Sequence, residues 1–127
     1  MHRIVVAVTE RPEGAAALTW ATERARTLGG ELDVVFVVGD TPASPVHVTA
    51  AARAAAVAAT RDAGVTARLH DPAPDVAEQL LALAREGADV VVLGVRRRSA
   101  TMKFLLGSIA QRVIGEAPCP VVTVKAS

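Results

Sequence analysis

The sequence predicts a single α/β domain, in which an open parallel sheet of five strands carries helices on both faces. Three observations predict this class. The chain has 127 residues, the size of one ordinary domain, so we treat residues 1–127 as a single unit. Hydrophobic residues make up 51% of it, enough to build a core. Short β-branched runs alternate with longer segments of helical spacing, and this order requires helical crossovers between parallel strands.

Five apolar runs are predicted to form the strands. Residues 4–8 and 32–38 are almost continuously apolar and rich in β-branched side chains, as in strands that are buried on both faces. Residues 90–93 and 121–124 are shorter runs of the same kind. Residues 65–69 alternate between apolar and polar side chains, so we expect this strand at an edge of the sheet.

Segments with apolar residues at helical spacing separate these runs. Glycines follow the first two segments, as expected at helix C-termini. Asp75 with Glu78, and Ser108 with Gln111, have the spacing of capping boxes at helix N-termini. The predicted helices are residues 13–28, 46–63, 75–87 and 107–115.

Composition excludes several classes of function. Lysine and arginine number 14 against 13 acidic residues, a formal net charge of +1, and aromatic residues make up only 2%. This balance argues against a nucleic-acid partner, which favours a basic surface or stacking aromatics. The single cysteine, Cys119, permits neither an internal disulfide nor a thiolate metal cluster. No apolar run approaches the ~20 residues of a membrane span, so we expect no membrane partner and a cytoplasmic location.

The strongest candidate site follows the fourth strand. Ligands of open α/β sheets bind beyond the carboxyl ends of the strands, where the strand order reverses. The two common orders of five strands, 2-1-3-4-5 and 3-2-1-4-5, both remain open at this point. Here a glycine is followed by a basic loop and then by a helix start: Gly94, Arg96, Arg97, Arg98, Gly107 and Ser108. A helix N-terminus with nearby arginines suits an anion such as a nucleotide phosphate.

The same residues also have structural interpretations. Three adjacent arginines often form a solvated loop, and Ser108 could simply cap its helix. Trp20 is expected to fill the core against the sheet rather than to line a ligand site. Cys119, between two prolines, is expected to be a buried, inert thiol because no activating group is visible near it.

The whole chain resembles a known family, and its C-terminal half does so most specifically. Residues 94–114 and 117–124 are similar to the C-terminal signature of the universal stress protein family, and residues 4–8 and 88–94 resemble its first and fourth strands. The resemblance covers the whole chain and implies the strand order 3-2-1-4-5 and a cytoplasmic homodimer that acts in the stress response. Some members bind ATP between the tips of strands one and four, and others do not.

The ATP-binding members typically show Gly-x-x-Gly, nine residues, and then Gly-Ser or Gly-Thr. Gly94, Gly107 and Ser108 match this pattern, whereas Arg97 stands at the second glycine position. Thr9 stands where the family usually has an aspartate. The resemblance implies a nucleotide-binding set of ten residues: Ala7, Val8, Thr9, Val37, Gly94, Arg96, Arg97, Gly107, Ser108 and Ile109.

Two functions remain open on this reading. The first is an ATP-binding stress protein that takes up Mg²⁺ only with the nucleotide and hydrolyses it slowly at most, because the sequence has no P-loop and no carboxylate pair for a metal. The second is a ligand-free dimeric adaptor of the same family. In both, a homodimer is expected through the last strand, whose edge would expose unpaired backbone groups: Val121, Val122, Thr123 and Val124.

Adenylyl-transferring enzymes and phosphoreceiver domains have a similar alternation of strands and helices, but this sequence fits them less well. An adenylyl-transferring enzyme would need His-x-x-His or a glycine-serine-rich turn after the first strand, and Thr9-Glu10 begins neither. A phosphoreceiver domain needs clustered acidic residues at the same place. Glu10 stands alone there, although Asp71 could serve as an acceptor.

Overall fold

The computed structural model describes residues 2–9, 11–37, 48–95 and 107–126. Within them, strands and helices alternate from the first element to the last, as the hydrophobic pattern predicts. The elements are β1 (Arg3–Val8), α1 (Pro12–Leu28), β2 (Glu31–Phe36), α2 (Ala50–Asp62), β3 (Thr66–His70), α3 (Val76–Arg85), β4 (Val90–Val95), α4 (Ser108–Glu116) and β5 (Val121–Lys125).

The strands form one parallel sheet in the order β3-β2-β1-β4-β5. This confirms the order that the family resemblance implied and excludes 2-1-3-4-5. It also confirms β3 as an edge strand. From β1 the chain moves outward to β3 and then crosses to β4 on the other side of β1, so the order reverses between β1 and β4. A ligand site is expected at that reversal.

Two apolar cores lie on opposite faces of the sheet. Even-numbered residues of β1, such as Ile4 and Val6, pack with α1 and α2. Odd-numbered residues, such as Val5 and Ala7, pack with α3 and α4. Right-handed crossovers require this division, because the first two connections run one way across the sheet and the last two run the other way.

Most element starts lie within one residue of the sequence prediction, and the start of α2 differs by four. The helix predicted from residue 46 begins at Ala50, because the Thr49 hydroxyl accepts a hydrogen bond from the Ala52 amide at 3.1 Å and fixes the first turn there. Val48 and Thr49 precede the helix, and residues 46 and 47 lie outside the described part. The prediction that Ser108 caps α4 is also wrong, because Gly107 is the N-cap and Ser108 is the first helical residue.

The predictions for Trp20 and Cys119 need correction. Trp20 is 37% exposed rather than packed in the core, because α1 rests on the sheet through residues such as Ala17 and Ala21, and Trp20 lies off that face of the helix. Cys119 is half-buried rather than fully buried. Its burial raises the pKa of the thiol, which keeps the side chain protonated at neutral pH.

Candidate functional site

The register of the sheet brings the predicted strand residues of the site together. Ala7 pairs with Val35 of β2 on one side and with Leu93 of β4 on the other. Just past β2, the Val37 amide donates to the Val8 carbonyl at 2.8 Å. Ala7 and Val8 are buried, so only their backbones and the half-buried Thr9 and Val37 face this edge.

The N-terminus of α4 lies at the same carboxyl edge, since α4 leads from the end of β4 back to the start of β5. Ala110 and Val113 are buried on the sheet, and the half-buried Ile109 packs against the core cluster that contains Ala7. Gly107 and Ser108 are exposed. The structure therefore groups the predicted residues of α4 with those of β1.

The start of α4 carries no capping side chain within the described residues, which sets it apart from two other helices. Thr49 caps α2, and Asp75 caps α3 by accepting from the Glu78 amide at 3.1 Å. At α4 the N-cap is Gly107, with an extended backbone (φ −72°, ψ 170°), and no described atom lies within 4 Å of where its Cβ would stand. The N-cap glycine itself offers no side chain to the first amides of α4, and amides at a helix start favour an anion.

Gly94 is expected just after the fourth strand, whose predicted end is residue 93, but it lies inside β4 and pairs with Val124. A Cβ at this position would stand 2.2 Å from the Glu13 carbonyl oxygen. Gly14 is similar, since its Cβ would stand 2.4 Å from the Thr9 amide nitrogen. These two glycines therefore allow the backbone of the first turn of α1 to contact the backbone at the tips of β1 and β4.

Thr9 also has a local structural role. Its hydroxyl accepts a hydrogen bond from the Arg11 amide at 3.2 Å, which stabilises the turn into α1. The hydroxyl that replaces the family's aspartate therefore already has a partner. A ligand at this point would meet a neutral side chain held in the turn rather than a carboxylate.

Part of the predicted site cannot be placed. Arg96 and Arg97, with Arg98 and Lys103 of the same basic loop, lie outside the described residues, so their contact with a ligand stays a prediction. Within residues 2–9, 11–37, 48–95 and 107–126, no group of three or more His, Cys, Asp or Glu side chains could hold a metal ion. None of the described helices is both long enough and apolar enough to span a bilayer.

The sequence analysis missed a buried carboxylate, Asp33. It is 2% exposed, and it accepts hydrogen bonds from Arg3 at 3.0 Å, from Arg68 at 3.0 Å and from His70 at 2.9 Å. Burial by itself would raise the pKa of Asp33, but the bonds from Arg68, His70 and Arg3 outweigh it and hold the pKa below its ordinary value. A lone acid in an apolar strand run was the signal, because a charge there needs partners.

The sequence analysis also missed an exposed ion-pair cluster between α3 and α4. Arg112 donates through Nη1 to Asp75 at 2.9 Å, through Nη2 to Glu78 at 3.0 Å and through Nε to Glu116 at 3.2 Å. The other Glu78 oxygen accepts from Arg85 at 2.7 Å. The bond from the Glu78 amide and the Arg112 guanidinium lower the pKa of Asp75.

The loop between β3 and α3 is held from two sides. Gln79 accepts from the Ala73 amide at 2.9 Å and donates to the Asp71 carbonyl at 2.8 Å. On the other side, Arg53 of α2 forms an ion pair with the Asp71 carboxylate and lies 5.4 Å from the centre of the Phe36 ring. This loop therefore has a defined position beside the carboxyl edge.

Comparisons with known proteins agree with this architecture. The family model described as the universal stress protein family matches residues 1–125. A universal stress protein of Mycolicibacterium smegmatis is 36% identical over 129 aligned positions, which cover 96% of each chain. A solved universal stress protein of Archaeoglobus fulgidus has a TM-score of 0.69 and 29% identity, covering 98% of this chain and 99% of that one. A universal stress protein from Archaeoglobus fulgidus that was solved in complex with dAMP has a TM-score of 0.63 and 26% identity, covering 98% of both chains.

Proposed function

The chain belongs to the universal stress protein family, and we propose that it binds an adenine nucleotide, ATP in the first place, between the tip of β1 and the N-terminus of α4. The observation that carries this proposal is the relative solved with dAMP, which has the same fold over 98% of both chains. In the cell we propose a cytoplasmic stress-response protein that senses nucleotide.

The geometry of the carboxyl edge supports this proposal. Phosphates would face the exposed start of α4, where Gly107 supplies no side chain to compete for the amides. The nucleoside would lie toward Thr9 and Val37. Arg96 and Arg97 would add charged donors to the phosphates, and Mg²⁺ would arrive with them.

We propose a binding protein rather than an efficient catalyst. Of the predicted site residues that the structure describes, none carries a side chain that is a general base at neutral pH. Hydrolysis is therefore expected to be slow at most. The family's other mode, a ligand-free dimeric adaptor, is favoured by one observation, the Thr9 hydroxyl that is already bonded to the Arg11 amide.

Substitution of Gly107 tests the phosphate end of the site. We expect nucleotide-stripped protein to bind ATP in calorimetric titration, and Gly107→Asp to abolish the heat because a carboxylate at the helix start repels phosphate. Aspartate is also a good N-cap and should stabilise the fold by about 1 kcal/mol relative to alanine. A loss of binding in Gly107→Asp therefore does not result from unfolding.

Gly107→Ala is the matched control. The backbone at this position suits any residue and no described atom lies within 4 Å of the new Cβ, so we expect this variant to bind ATP as the parent does. Equal heats from Gly107→Asp and Gly107→Ala would contradict phosphate binding at α4. No heat from the parent with ATP, AMP or dAMP at millimolar concentration would leave the ligand-free adaptor.

We also propose a homodimer through the free edge of β5. Val91 donates to the Pro120 carbonyl at 3.1 Å, so residues 122 and 124 turn their backbone groups toward β4 and residues 121 and 123 turn theirs outward. The outward groups can pair with a second copy of the chain related by a two-fold axis.

Thr123→Pro tests this edge, because proline removes one outward amide and leaves the ladder to β4 in place. We expect sedimentation velocity to show a dimer for the parent and a monomer for Thr123→Pro, with similar circular dichroism. Thr123→Val keeps the amide and should remain dimeric. A Thr123→Pro variant that sediments as a dimer would place the interface elsewhere.

A further inference from the structure

Apolar contacts with the core are few for α4, which carries Ser108 and Ile109 of the predicted binding residues and has Gly107 as its N-cap. Among its nine residues Ala110 and Val113 are buried, and the half-buried Ile109 packs against the same core cluster. A helix of this length is not stable by itself, so its direction also depends on its polar contacts.

Arg112 supplies those contacts. All three guanidinium nitrogens donate, and two of them reach across to α3, where Nη1 contacts both oxygens of Asp75 at 2.9 and 3.2 Å and Nη2 contacts Glu78 at 3.0 Å. A planar fork on two carboxylates fixes direction as well as distance, which an ammonium cannot do. Arg112 lies one helical turn beyond Ser108, at the middle of the nine-residue α4, so its contacts with Asp75 and Glu78 hold the turn that follows the N-cap.

The anchor of Arg112 is itself fixed to the carboxyl edge. Asp75 caps α3, and the loop before it is held by Gln79 and by the ion pair between Arg53 and Asp71. A continuous set of polar contacts therefore runs from α2, across the tip of β3, to α4. We propose that Arg112 is a positioning residue for the nucleotide site, which sets the α4 amides at their distance from the tip of β1; this inference rests on the proposed function.

Arg112→Ala and Arg112→Lys test this role in two measurements. Without nucleotide, we expect faster amide hydrogen exchange in residues 109–113 of Arg112→Ala and unchanged exchange in β1. With ATP, we expect affinity about three- to tenfold weaker than in the parent. Arg112→Lys keeps the charge but not the fork, so it should recover only part of both properties. Arg112→Lys also tests the proposal if Arg112→Ala does not fold.

Arg85→Ala is the matched control, because Arg85 belongs to the same ion-pair cluster through Glu78 but does not contact α4. It should leave α4 exchange and ATP affinity unchanged. Parent-like ATP affinity in Arg112→Ala, with the parent binding ATP, overturns the positioning role alone. A parent that binds no ATP overturns the proposed function and with it this inference. The exchange data then still show whether Arg112 holds α4 in place.

Discussion

Two charged clusters of this protein are built in opposite ways. Around Asp33, one carboxylate at 2% exposure is surrounded by Arg3, Arg68 and His70. Around Arg112, one guanidinium at 38% exposure is surrounded by carboxylates that are 45–58% exposed. The difference shows that the number of ion pairs in a cluster does not determine how much the cluster contributes to stability. The burial of the central charge decides what its removal leaves behind.

The Asp33 cluster lies where none of the described helices covers the sheet. The chain packs α3 onto β1 and β4, and on β3 the residues of that face are exposed or half-buried, namely Thr66, Arg68 and His70. The opposite face of β3 packs Ala67 and Leu69 against the first core. Polar side chains thus cover this part of the sheet, where a helix would otherwise pack, and Asp33 lies beneath them. The cluster is best explained as a structural closure of this sheet edge.

Removal of Asp33 should have the largest effect on stability. In Asp33→Ala the guanidinium of Arg3, which is 18% exposed, loses its buried partner. We expect a loss of about 3 kcal/mol in the free energy of unfolding, measured by urea denaturation, out of a total of about 5–15 kcal/mol for such a domain. Arg112→Ala should cost clearly less, since water reaches the carboxylates that it leaves. Equal losses in the two variants would contradict the role given to burial.

The pH dependence of stability gives a smaller but sharper comparison. The pKa of Asp33 is lowered in the folded protein, so its bonds stabilise the fold above the ordinary aspartate pKa. That contribution is lost as the pH falls through the lowered value. Urea denaturation between about pH 2 and 6 should show a flatter acid slope in Asp33→Asn than in the parent.

Asp75→Asn is the natural counterpart in that experiment. The pKa of Asp75 is also lowered, but its side chain is 58% exposed, and asparagine keeps the N-cap of α3. We therefore expect Asp75→Asn to change the acid slope less than Asp33→Asn, and salt to reduce that change further. A larger effect from Asp75 would mean that the exposed cluster, and not the buried one, governs acid stability.

The sequence determined the alternation of strands and helices, because the hydrophobic pattern is local and runs such as residues 4–8 are typical of buried strands. It also predicted a helix start near residue 107 and a candidate site after the fourth strand, since glycine and helix-start patterns are short. It did not determine the exact starts of α2 and α4, because single side chains such as Thr49 decide them.

Only the tertiary structure decided what surrounds each residue. The sequence could not show that Gly94 lies inside β4 against the backbone of Glu13, or that Trp20 is partly exposed, because both depend on how α1 is placed and rotated on the sheet. It could not pair Asp33 with Arg68, or Arg112 with Asp75, since 35 and 37 residues separate them along the chain. Contacts at such separation are set by strand order and helix packing, which bring distant segments together only after the sheet has formed.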